Sequence, residues 1–111
     1  MKGMGNIGDI MKQAQKMQKK MEDIKSNLQE RVVEGTSGGG MVTVQMNGKL
    51  EPLSVKIDPE VVDPNDIQML EDLVLAAVTQ VVKKAQDIYQ TEMNKLAGGV
   101  NILGLSNMLQ P

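Results

Sequence analysis

The sequence predicts an α+β fold in which two long helices flank a small antiparallel sheet. Three observations predict it. Apolar residues recur every three or four positions before residue 30, they alternate with polar ones between residues 32 and 58, and helical spacing returns after residue 63. At 111 residues the chain has room for one domain with a modest core.

The first helix is expected from Ile7 to Glu30. Its apolar positions follow a heptad seam of Ile10, Ala14, Met17, Met21, Ile24 and Leu28. At 1.5 Å per residue such a helix is roughly 35 Å long, more than a chain of this size needs to cover its core. Two uses fit this length: a helix packed on its own domain, or an arm that projects from an oligomer.

The middle of the chain is expected to form a hairpin. Residues 41–46 alternate, and Asn47-Gly48 follows, which predicts a two-residue type I′ turn with positive φ at both positions. The return strand is expected over residues 49–57, with a bulge at Glu51-Pro52 because proline cannot donate a ladder hydrogen bond. Its apolar face comprises Leu53, Val55 and Ile57. Residues 32–34 could add a third strand.

The second helix is expected to have its N-cap at Asp63, with Pro64 as its first residue, to run to Ala97 and to end at Gly98-Gly99. It carries two apolar stripes. One comprises Ile67, Leu70, Val74, Ala77, Val81 and Ile88, and the other comprises Leu73, Leu75, Val78 and Val82. A helix that is apolar on two sides must be buried on two sides, so we expect a partner subunit to cover one of them.

Composition excludes several classes of function. The chain has no cysteine and no histidine, which removes disulfides, thiol chemistry, Cys/His zinc sites and histidine-based catalysis. Tyr89 is the only aromatic residue, so no platform for stacking single-stranded bases can form. Arg31 is the only arginine, and bidentate readout of guanine usually needs arginine. Any contact with nucleic acid is therefore expected to join lysine to phosphate.

The net charge of −2 is unevenly distributed. Residues 1–20 carry +4, residues 21–80 carry −7 and residues 81–111 carry +1. A basic end on a weakly acidic protein can bind an anion locally, because fields act over about 8–10 Å in physiological salt. The same lysines could equally serve only to solvate a helix face.

The sequence contains neither an apolar run of about 20 residues nor the apolar stretch of a signal peptide. We therefore expect a cytoplasmic protein with no membrane contact. Glycines at 3, 5 and 8 match a dinucleotide-binding pattern, but no strand precedes them. The acids between residues 58 and 72 lack the glycine and the spacing of a calcium loop, and helix capping explains Asp63 and Asp66.

Several segments closely resemble the YbaB/EbfC family of bacterial nucleoid-associated proteins. Residues 36–49, 55–63 and 69–78 read TSGGGMVTVQMNGK, VKIDPEVVD and MLEDLVLAAV. Residues 11–21 and 93–96, which read MKQAQKMQKKM and MNKL, are also similar to that family. The resemblance covers about residues 7–99. We expect a single domain over residues 1–99 and a C-terminal tail over residues 100–111.

The resemblance implies a helix, a three-stranded antiparallel sheet and a second long helix, paired into a homodimer whose helices project like the arms of tweezers. It implies binding to double-stranded DNA in the nucleoid, with no catalytic residues, cofactor, metal or small-molecule substrate. The implied DNA-facing residues are Lys12, Lys16, Lys19 and Lys20 of the first helix and Lys83, Lys84 and Lys95 of the second. The alternative is a helical-arm module that binds another protein and has no nucleic-acid role.

Overall fold

The predicted order of elements, α-β-β-β-α, is confirmed. In this computed structural model the backbone is described over residues 2–100 and the side chains over residues 7–98. The elements are α1 (Lys2–Glu30), β1 (Val32–Ser37), β2 (Val42–Asn47), β3 (Pro52–Ile57) and α2 (Ile67–Val100). Short 3-10 turns at Gly38–Gly40 and Pro59–Val61 follow β1 and β3. Apart from the backbone of Val100, the predicted tail lies outside the described residues.

The three strands form one antiparallel sheet in the order β1-β2-β3. The candidate strand at residues 32–34 is confirmed and extends to Ser37. The bulge in β3 lies one residue beyond the predicted position. Gln45 pairs with Ser54 and Met46 pairs with Pro52, so Leu53 is the extra residue.

The prediction of a two-residue type I′ turn is wrong, because the loop has three residues. The Asn47 N–H donates to the Glu51 carbonyl (3.0 Å), the Leu50 N–H donates to the Asn47 carbonyl (3.0 Å), and Leu50 holds the positive φ of 66°. The buried Asn47 side chain organises this loop, since its Oδ1 accepts from the N–H groups of Lys49 and Glu51. Gly48 is required for another reason: a Cβ there would lie 2.9 Å from Leu28 Cδ2.

Both predicted ends of α2 are wrong. Pro64 and Asn65 form a turn, and Asp66 is the N-cap, with its Oδ1 accepting from the Met69 N–H at 3.1 Å. Asp63 instead accepts from the Asn65 N–H within that turn. At the other end the helix continues through Gly98 and Gly99 to Val100. At its start α1 is also longer than predicted, since it begins at Lys2.

The core lies between α2 and the first two strands. Alternate residues of β2 pack against small side chains of α2, and the buried cluster comprises Val42, Val44, Met46, Val61, Ala77, Val81 and Ala85. At Gly35 in β1 the helix comes so close that a Cβ would meet the Ala77 carbonyl oxygen and lie 2.6 Å from Val81 N. Ser37 Oγ donates to the Leu73 carbonyl at 2.6 Å. Direct backbone contact therefore fixes α2 on β1.

The molecule is elongated. It measures 78 × 32 × 16 Å, and its radius of gyration is 21.2 Å, whereas a compact chain of this length has about 13 Å. The two long helices cause this shape, because each extends well beyond a sheet whose strands have six residues.

The Gly35→Ala substitution is expected to destabilise the protein by about 1–3 kcal/mol, because its Cβ would meet helix backbone that cannot move aside independently. Urea denaturation at a fixed protein concentration measures the change in the free energy of unfolding. The control is Gly8→Ala, where a Cβ meets nothing within 4 Å and alanine favours the helix. A Gly35→Ala protein that unfolds at the parent's urea concentration would contradict this packing.

Candidate nucleic-acid interface

The first half of α1 projects beyond the body of the protein. Burial along the heptad seam rises from exposed Ile10 (62%) through half-buried Met17 and Ile24 to fully buried Leu28 (0%). Ile7 and Met11 are also exposed. Of the two uses that the length of this helix allows, the structure therefore shows an arm, whose root is at residues 24–30.

Four lysines predicted to face DNA lie on this arm, and all four are exposed: Lys12, Lys16, Lys19 and Lys20. At 3.6 residues per turn, Lys12, Lys16 and Lys19 form one ridge on the side of the helix away from the seam. Among the described side chains, none of the four takes part in an ion pair. Their amines are therefore directed to solvent, along a ridge of about two turns. Their assignment to DNA stays a prediction.

The three predicted lysines of α2 lie on the other helix, where Lys95 lines the same cleft as Lys20. Two of the three have partners within the fold. Lys84 Nζ donates to the Glu34 carbonyl at 2.8 Å, and Lys95 Nζ lies 3.4 Å from Glu92 Oε1. Lys83 is exposed. The assignment of these residues to DNA also stays a prediction, but Lys84 and Lys95 have structural contacts that the sequence pattern did not reveal.

Lys84 belongs to a pair of side chains that cover the free edge of the sheet. One turn earlier on α2, Gln80 Oε1 accepts from the Thr36 N–H at 2.7 Å. The contacts with Thr36 and Glu34 satisfy alternate backbone groups on the side of β1 that faces away from β2, where no strand lies among the described residues. An exposed edge strand is a template for unwanted pairing, so these contacts protect β1.

Arg31 lies at the junction of α1 and β1 and is not free for base recognition. Its Nη1 lies 3.2 Å from Oε1 of Glu92, a residue of α2 that is only 8% exposed. A buried carboxylate must be paired, so this contact joins the root of the arm to the second helix. No sequence pattern indicates this contact, because the two residues are 61 positions apart.

A second surface is apolar and is left uncovered by the described part of the chain. Val55 of β3 pairs with buried Val44, so both lie on the sheet face that α2 covers, yet Val55 is 54% exposed. Its neighbours on that face, Leu53 and Ile57, are also exposed. Beside them a groove of about 440 Å³ is lined by Ile57, Leu70, Glu71, Val74, Leu75 and Val78. We call this groove together with the inner side of β3 the open apolar face.

The acids between residues 58 and 72 act as caps where contacts are seen. Asp58 Oδ1 accepts from the Glu60 N–H, and Asp63 and Asp66 accept from backbone N–H groups near the start of α2. The capping interpretation is confirmed for Asp66, which is the N-cap of α2. It is wrong for Asp63, whose carboxylate accepts from the Asn65 N–H within the preceding turn. Within the described residues, no helix is long and apolar enough to cross a membrane.

The chain is an elongated α-β-β-β-α protein with exposed lysines on its arm and an open apolar face. The profile of the YbaB/EbfC DNA-binding family matches residues 4–100, and the chain belongs to this family. It is a DNA-binding family and not a family of enzymes, so the prediction that the chain is not an enzyme is confirmed.

Relatives span nearly the whole chain. A nucleoid-associated protein of Clostridium kluyveri is 53% identical over 103 residues, covering 93% of this chain and 90% of its own. One from Alkaliphilus metalliredigens is 49% identical, covering 95% and 92%. A crystal structure of an uncharacterized Helicobacter pylori protein has a TM-score of 0.74 at 20% identity, covering 80% of this chain and 94% of its own. That likeness concerns the fold.

Proposed function

We propose that the protein is a homodimeric nucleoid-associated protein that binds duplex DNA through lysine–phosphate contacts with little sequence specificity. It acts in the nucleoid, within the cytoplasm, where it influences nucleoid organisation and gene expression. The observation that carries this proposal is the ridge of exposed lysines on an arm of a chain that belongs to a DNA-binding family.

The chemistry of the arm favours phosphate over bases. Lysine presents a compact charge that meets phosphate without geometric selection, whereas arginine reads guanine through a planar fork. The single arginine is held by Glu92, and the single aromatic ring, Tyr89, cannot form a stacking platform alone. Binding through phosphate alone discriminates little among sequences.

The open apolar face supports the homodimer. Large apolar patches on a soluble protein mark interaction sites, and burying each exposed leucine or valine contributes about 1.5–3 kcal/mol. A second copy presents the same face, so a twofold axis through the groove would cover both at once. Because the α1 arm lies outside this face, both arms of such a dimer stay available to DNA.

A second candidate function is a helical-arm module that binds another protein. The exposed apolar residues Ile7, Ile10 and Met11 near the tip of the arm favour it, since they could form a seam with a partner helix. In that case the lysines only keep the arm solvated. The two candidates differ in whether DNA affinity depends on these lysines.

The Val55→Lys substitution is expected to dissociate the dimer. It replaces an apolar contact by a buried ammonium group in both subunits, which should raise the dimer dissociation constant by roughly a hundredfold or more. Light scattering across a dilution series measures the mass. The matched control is Val32→Lys. Val32 is similarly exposed (52% against 54%), but it lies on the sheet face away from α2, since its neighbour Val33 packs on the core. A Val55→Lys protein that stays dimeric at low micromolar concentration would exclude this interface.

The combined substitution of Lys12, Lys16 and Lys19 by glutamine is expected to weaken binding equally on duplexes of unrelated sequence. For each lysine–phosphate pair that the substitution removes, the slope of log affinity against log salt should fall by about 0.9. Glutamine has nearly the helix propensity of lysine, so the fold and the dimer should survive. Titrations of two duplexes at several salt concentrations measure both the affinity and the slope.

The matched control removes three other exposed lysines, Lys25, Lys49 and Lys56, and so changes the total charge by the same amount. This control should keep most of the parent's salt slope. If the arm variant keeps the parent's slope, the lysines of the ridge do not contact phosphate and the protein-partner function is favoured instead.

A further inference from the structure

The α1 arm is held at its root by few contacts. Leu28 is the only buried residue among the described residues of α1, and the turn after β2 packs on it. The Gly48 N–H donates both to the Leu28 carbonyl (2.8 Å) and to the Arg31 carbonyl (3.0 Å). These contacts fix the end of the helix at one point, and a single point does not determine the direction in which a helix projects.

The second fixed point is polar. Glu92 Oε1 accepts from both Arg31 Nη1 at 3.2 Å and Lys95 Nζ at 3.4 Å. One buried carboxylate therefore joins the end of α1 to α2. Beyond it the apolar seam of α1 is only half-buried, at Met17, Met21 and Ile24. An open cleft of about 300 Å³ lies there, lined by Lys20, Asp23, Ile24, Glu92, Lys95 and Leu96.

Small changes at the root become large changes along the arm. At 1.5 Å per residue, Ile7 lies roughly 30 Å from Leu28, so a tilt of about 10° moves it by roughly 5 Å. The major groove of duplex DNA is about 12 Å wide, so such a movement changes which phosphates the lysines can reach.

We propose that Glu92, held by Arg31 and Lys95, is a positioning residue that fixes the angle of the α1 arm and thereby the affinity of the protein for duplex DNA. The part that concerns affinity rests on the proposed function. The part that concerns the angle does not, and it is measured without DNA.

The test is the Glu92→Gln substitution, which keeps the size of the side chain and removes its charge. Because the chain has no cysteine, cysteines placed at Gln15 and Ser54 can carry spin labels that report the distance from arm to sheet. Labelled chains are diluted into excess unlabelled chain, so that the measured distances join two labels on the same chain. We expect Glu92→Gln to broaden this distance distribution or to shift it by several ångströms, since a tilt of about 10° moves residue 15 by roughly 3 Å.

The control is Asp72→Asn, which removes the same charge from the same helix at an exposed residue about 30 Å along the helix from Glu92, and it should leave the distribution unchanged. Arg31→Gln is a second variant, which keeps the test decisive if Glu92→Gln fails to fold. The distance distribution of the double variant, Arg31→Gln with Glu92→Gln, should be no broader than that of Glu92→Gln alone, because the two residues act through one contact. Distributions in Glu92→Gln and Arg31→Gln that match the parent would overturn the proposal.

The affinity for duplex DNA is a second readout, because a loss of arm position and a gain of positive charge change it in opposite directions. Glu92→Gln and Asp72→Asn each make the chain more positive by one charge, so electrostatics alone would strengthen binding in both. We expect Glu92→Gln instead to weaken duplex binding several-fold while Asp72→Asn does not weaken it. A broadened distance distribution in Glu92→Gln together with an undiminished affinity for duplex DNA would overturn the link between the arm angle and DNA binding. If the parent binds no duplex DNA, the proposed function fails, and the label distances still decide whether Glu92 sets the angle.

Discussion

The close packing of α2 against β1 determines which surfaces of this protein are covered and which are exposed. At Gly35 the helix touches the strand backbone, and along the same strand it covers the free edge with Gln80 and Lys84. A helix held this close to one edge of a three-stranded sheet covers two strands and leaves the third bare. Among the described residues, the apolar side of β3 and the adjacent stripe of α2 are therefore uncovered, and the proposed dimer would cover them with a second copy.

The same constraint determines which charges are left for a ligand. Lys84 donates to the free edge of the sheet, and Arg31 and Lys95 pair with the buried carboxylate of Glu92. Since α2 runs along only the root of α1, the outer part of α1 stays solvated, and its lysines have no competing partner among the described side chains. In this arrangement the open apolar face lies on the sheet and α2, and four exposed lysines lie on the arm.

Sequence patterns located the elements well but missed what depends on tertiary contact. The heptad seam of α1 was recognisable, yet periodicity alone could not show that burial ends near Met17, because that depends on where α2 runs. Asn47-Gly48 correctly predicts a hairpin at this position, but it predicts the wrong turn type. Gly48 is needed for packing on Leu28 and not for a positive φ. The ridge of lysines could be read from spacing. The contact between Arg31 and Glu92 could not, because long-range pairing leaves no local signal.

Small-angle X-ray scattering of the full chain, free of DNA, tests the proposed dimer and the projecting arm together, since one measurement reports both mass and extension. We expect a particle of twice the chain's 12.1 kDa with a radius of gyration above the 21.2 Å of one subunit, because the arms of the proposed dimer extend outward from a central interface. A particle of single-chain mass with a radius near 13 Å, roughly the value for a compact chain of this length, would contradict both the uncovered face and the projecting arm.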